Sequence, residues 1–132
     1  MLDLKTLTRP NTPNHHFLAP KGYSSAPIDG ESPRFSVPPG ELFTRVRKAL
    51  LRQPRTTLRE EAADRLSLEV RQRTALFRFP DDVTITVLPA DGGSTLAIFS
   101  RSLCGRGDLG TNRRRVTAWL DAIKREAASN QP

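Results

Sequence analysis

Two short runs constrain this chain more than anything else in it. In "RLSLEVRQR", Leu66, Leu68 and Val70 alternate with Ser67, Glu69, Arg71 and Arg73. In "DVTITVL", Val83, Ile85 and Val87 alternate with Thr84 and Thr86. A period of two places the apolar residues on one side of an extended strand and the polar ones on the other. The chain must therefore build a sheet with one face buried and one face wetter. "STLAIFSR" breaks the alternation by being apolar on both sides, so it belongs at the centre of the sheet or under a cover. "PADGG" between these runs carries Asp91-Gly92, a hairpin signal. "RTTLREE" reads as a further short strand before a turn at Ala62 to Asp64.

Two helical patterns flank the strands. "SVPPGELFTRVRKALLRQP" places Leu42, Phe43, Val46, Ala49 and Leu50 at helical spacing, with Pro39 in the first turn and Pro54 as the stop. Near the C-terminus, Leu109, Val116, Trp119, Leu120 and Ile123 form one stripe. The expected fold is α+β: a four-stranded antiparallel sheet with two helices on one face, in the order α-β-β-β-β-α. Seven of the eleven prolines lie at or before Pro39, a density that opposes regular helix and interior strand. Phe17, Leu18, Tyr23, Ile28, Phe35 and Val37 are nonetheless anchors that a disordered tail would lack. Residues 1–38 are thus expected to be an extended arm lying on an α+β domain of residues 39–127, with 128–132 a frayed tail.

The 132 residues carry 21 basic and 14 acidic side chains, for a net charge of +7, and 17 of the basic ones are arginine. Such a balance suits an anionic partner, whether nucleic acid, a phosphate-bearing small molecule or an acidic membrane surface. It equally suits a well-solvated, arginine-rich surface, which is the commoner situation. Cys104 is the only cysteine, so an internal disulfide is excluded. No stretch has the roughly 18 apolar residues of a membrane span, and "MLDLKTLTRPNTPNHHF" has no apolar run of signal-peptide length. A soluble, cytoplasmic protein is expected.

The chemistry concentrates in "SRSLCGRGDLGTNRRRV", Ser100 to Val116. Gly105, Gly107 and Gly110 permit positive φ or close approach, and Asp108 can cap the final helix. Asn112, Arg113, Arg114 and Arg115 fall in its first turn, where the partial positive charge of a helix start disfavours cations. An anion bound by the backbone amides, Arg101 and Arg113 would resolve that conflict. Carboxylates supplied internally by Asp81 and Asp82 would resolve it too, and the internal solution is the more economical. Because adjacent strand residues face opposite sides, Asp81 and Asp82 cannot act as one acid/base pair. The candidate patch is Asp82, Ser100, Arg101, Gly105, Asp108, Gly110, Asn112 and Arg113.

Together with "FRFPDDVTITVL" and "QPRTTLREEAADRLSLEVRQRTALFRF", this segment resembles the domain of unknown function 1499 family of bacteria and plastids. The resemblance runs from Pro13 to Trp119. It rests on an aromatic-x-Asp-Asp step at Phe79, Asp81 and Asp82, and on a signature matched by Ser100, Arg101, Gly105, Asp108, Gly110, Asn112 and Arg113. It implies a shared fold and a shared patch, and no activity. Members of that family commonly carry valine and serine where this chain has Cys104 and Gly107, so the resemblance assigns Cys104 no role.

Other chemistries fit less well. A nucleophilic Cys104 needs a base, and His15 and His16, the only histidines, lie in the arm. The two are adjacent, with no ligand cluster around them, so neither metal nor cofactor is expected. Gly105, Gly107 and Gly110 fit G-x-G-x-x-G formally, but no parallel strand follows to complete a βαβ unit. Arg106 to Asp108 spells a tripeptide of no weight here. Nucleic-acid binding on a sheet face bearing Arg59, Arg71 and Arg73 is the runner-up, without interleaved aromatics to support it. An unrecognised small enzyme ranks third. The sequence favours a non-enzymatic binding or scaffold domain, with a protein partner or a small anion at the patch.

Overall fold

A computed structural model describes residues 1–105 and 110–129 of the chain. Six strands and two long helices are present: β1 His15–Ala19, β2 Gly30–Glu31, α1 Pro39–Leu51, β3 Thr56–Ala62, β4 Ser67–Arg73, β5 Pro80–Ala90, β6 Gly93–Ser102 and α2 Thr111–Ser129. They form one sheet of order β2-β1-β6-β5-β4-β3. β1 and β2 pair in parallel and every other neighbouring pair is antiparallel.

This corrects the four-stranded antiparallel sheet expected above. The sheet is six-stranded and mixed, because the proline-rich arm contributes two strands of its own. Proline removes a ladder donor only where it stands. Pro13 and Pro20 bracket "HHFLA" and do not interrupt it, so five residues are free to pair. They align with β6 from His15↔Arg101 to Leu18↔Ile98. The arm thereby covers the second apolar face of β6.

The alternation after Pro39 holds. Leu68 and Val70, Val83, Ile85 and Val87, and Leu96 and Ile98 share one side of the sheet and pack under α1 and α2. α1 adds Leu42, Phe43, Val46, Ala49 and Leu50, and α2 adds Val116, Trp119, Leu120 and Ile123. Leu109, the first residue of the expected stripe, lies outside the described residues. On the other side, Ala97 and Phe99 of β6 meet Leu4, Leu7, Phe17, Ala19 and Ala26 of the arm in a second core. Phe17 and Phe99 meet edge to face with centroids 5.8 Å apart. The Asp91-Gly92 turn is a two-residue hairpin closed by Ala90↔Gly93, with Gly92 at φ +76°.

Candidate functional site

The sheet passes between Asp81 and Asp82, so the two carboxylates serve different faces. On the helix face, Asp81 Oδ2 accepts a 2.5 Å hydrogen bond from Arg115 Nη2. The side chains are 2% and 6% exposed, so this ion pair is buried. Arg115 also donates from Nε to Gln72 Oε1 at 2.6 Å and from Nη1 to Asn112 Oδ1 at 2.9 Å and Ser100 Oγ at 3.2 Å. Ser100 Oγ donates to Asn112 Oδ1 at 2.7 Å. The Asn112 amide donates in turn to the Asn14 carbonyl at 2.9 Å and to Ser102 Oγ at 3.0 Å. Asn14 closes the chain of contacts by donating to the Gly105 carbonyl at 2.8 Å. Strand, helix and arm are thus joined through one buried polar cluster.

On the arm face, Asp82 takes both arms of Arg71, at 2.8 Å and 3.2 Å. Its hydrogen bonds and charge raise the Arg71 pKa above the usual arginine range, against the opposing effect of partial burial. One residue along β6, Arg101 donates to Thr84 Oγ1 at 2.8 Å and to Glu69 Oε1 at 3.0 Å. Thr84 donates to the same Glu69 oxygen at 2.7 Å. The Arg101 guanidinium stands 5.3 Å from the centroid of the Phe99 ring. A cavity of about 470 Å³ opens beside it, lined by Phe99, Arg101, Ser102, Leu103 and Gly105 and by arm residues that include Asn14.

The expected patch is therefore divided by the sheet. Ser100 and Asn112 come together on the helix face, and Gly105 joins them through Asn14. Asp82 and Arg101 stand on the arm face with separate partners. Gly105 and Gly110 take φ of +78° and +82°, the freedom their sequence context asked for. The Gly110 carbonyl accepts the Arg114 amide and so opens the first turn of α2. Arg113 is exposed. Asp108, expected as a cap, lies outside the described residues.

The expected patch omits several participants, Asp81, Arg71, Ser102 and Thr84 among them. Arg115 is another, yet Asn112, Arg115, Val116 and Trp119 fall on one helix face by spacing alone, which marks Arg115 as inward-facing. Gln72, Glu69 and Asn14 carried no local signal, because their roles depend on strand register. Cys104 is exposed. His15 is held by Arg9 and the Pro10 carbonyl, and no cluster of three or more potential metal ligands occurs among the described residues.

The sequence profile of the family described as "Protein of unknown function (DUF1499)" matches residues 5–123. The chain belongs to that family. The match includes the arm strands, consistent with their place in the DUF1499 sheet. No curated protein sequence matches the DUF1499 chain. Among solved structures, its fold resembles that of Ara h 8.0201, with a TM-score of 0.57 at 14% identity over 76% of this chain and 96% of that one. It also resembles protein MLL2253 from Mesorhizobium loti, with a TM-score of 0.56 at 12% identity over 76% of this chain and 96% of that one. At such identities the likeness concerns fold alone. No helix among the described residues is long and apolar enough to cross a membrane.

Proposed function

We propose that this chain is a non-enzymatic binding or scaffold domain whose polar junction between β6 and α2 clamps the arm onto the sheet. One observation carries the reading: the Asn14 carbonyl, inside the arm, is held at once by the Asn112 side chain and by the Ser102 amide. The donors and acceptors of the cluster turn on one another and on the arm, leaving little capacity to spend on a substrate. Arg71, Arg101 and Arg115 each have a carboxylate partner, which supports internal neutralisation over a bound anion at those three positions. A protein partner or a small anion would be met at the outward side of the patch, where Arg113 is exposed.

Nucleic-acid binding on the sheet face has less support, since the Arg71 guanidinium is committed to Asp82.

The clamp is tested by limited proteolysis of Asn112→Ala. Release of cleavage sites in residues 1–30 well below the unfolding temperature supports it, and an unchanged digestion pattern refutes it. Thermal stabilisation by phosphate or succinate that disappears in Arg113→Ala would establish the anion site. Binding of generic nucleic acid, lost as salt rises and in Arg71→Ala, would favour the other reading.

A further inference from the structure

The turn between β4 and β5 spends apolar surface on water. Leu76 is 79% exposed, Phe77 68% and Phe79 49%, and none of them joins either core. The two rings stack with centroids 5.5 Å apart and planes 18° from parallel, making one flat wedge. At the root of the turn, the Leu103 amide is bonded to the Pro80 carbonyl at 3.1 Å, which brings a further exposed leucine beside it.

The charge around this wedge is cationic. Arg55, Arg73 and Arg78 are all exposed and mutually tied: the Arg73 amide donates to the Arg55 carbonyl at 3.0 Å, and Arg73 Nη1 to the Arg78 carbonyl at 3.1 Å. Arg55 and Arg78 hold left-handed backbone at φ +53° and +58°, a conformation costly for arginine. The carboxylates next along the chain, Asp81 and Asp82, are buried and paired with Arg115 and Arg71.

Three hydrogen bonds close the base of the turn. The Arg78 amide donates to the Thr74 carbonyl at 3.1 Å, the Thr74 amide to the Phe79 carbonyl at 2.9 Å, and the Phe79 amide to Thr74 Oγ1 at 2.9 Å. An apolar tip closed by hydrogen bonds at its base and flanked by arginines matches the boundary between anionic headgroups and acyl chains.

We propose that this turn is a membrane-docking site for an anionic lipid bilayer. Leu76, Phe77 and Phe79 enter the headgroup boundary, while Arg55, Arg73 and Arg78 meet lipid phosphates. The site is separate from the clamp, since none of its residues belongs to the polar cluster.

The experiment is co-sedimentation of the full chain with vesicles. The chain is expected to bind mixed phosphatidylcholine–phosphatidylglycerol vesicles, to ignore pure phosphatidylcholine, and to dissociate as salt rises. Phe77→Ser with Phe79→Ser keeps the charge and the fold, and is expected to weaken binding by about tenfold. Arg73→Ala and Arg78→Asn are each expected to weaken it roughly fivefold. Absence of binding to the anionic vesicles at low salt overturns the proposal. So does undiminished binding by the double serine variant with an unchanged melting temperature, which would assign the interaction to net charge alone. Self-association of the wild type that vanishes in the double serine variant also overturns it, making the turn a contact between copies.

Discussion

The two faces of the sheet solve the same problem with different materials. On the helix side, Asp81 and Arg115 are sealed beneath α2 and wired to Gln72, Ser100 and Asn112. On the arm side, Asp82 and Arg71 make a fork at the margin of a thinner cover, where the arginine side chain keeps 22% exposure. Neighbouring aspartates on one strand thus live in environments of different depth. Burial makes a lost partner expensive, since the remaining charge has no water to turn to, whereas a partly exposed arginine can rehydrate.

The sharpest way to break the comparison is to remove one cover. A chain lacking residues 1–34 strips Phe99 and Ala97 of Leu4, Leu7, Phe17, Ala19 and Ala26. It is expected to lose cooperative unfolding altogether, as followed by circular dichroism during heating. Next in size is Asp81→Ala, which strands the Arg115 guanidinium beneath α2 and is expected to cost about 3–5 kcal/mol in urea titrations. Asp82→Ala is expected to cost less, roughly 1–2 kcal/mol, because Arg71 reaches solvent. Equal losses in the two variants would show that depth does not distinguish the faces.

The smallest effect concerns acid. Asp29, in the arm, is partly buried, which by itself raises its pKa. Hydrogen bonds from Arg9 and the Phe17 amide, with the charges of Arg9 and His16, outweigh burial and hold the carboxyl below its ordinary range. Its pKa is therefore lower folded than unfolded. The stability it contributes is present above the ordinary aspartate value and is lost as pH falls through the depressed one. Asp29→Asn is expected to flatten the acid limb of melting temperature against pH, with a constant offset from neutral pH upward.

Much of the helix face was legible beforehand. Leu68, Val70, Val83, Ile85 and Val87 announce their side by period alone, and the stripe of α2 announces its own. The aspartate step was legible too, since adjacent strand positions must diverge. The arm strands were hidden because "HHFLA" is short and its prolines dominate any local count. What places it is the second apolar side of β6, a demand made from far along the chain. The patch was legible as a set of residue types and not as an arrangement. Ser100 and Arg101 are neighbours in sequence and back to back in space, and Asn14 enters from 98 residues before Asn112. Register, which no local pattern encodes, decides which of them meet.

That distance bears on how the molecule is made. During synthesis the arm leaves the ribosome well before the central strand that receives it, since β6 emerges after α1 and three other strands have gone by. The arm thus finds its place long after it is made, and until then its apolar side chains wait in solvent. Closure over so long a loop is slow and invites wrong partners, so a chaperone that shields the nascent arm would speed maturation more than one acting on the helices.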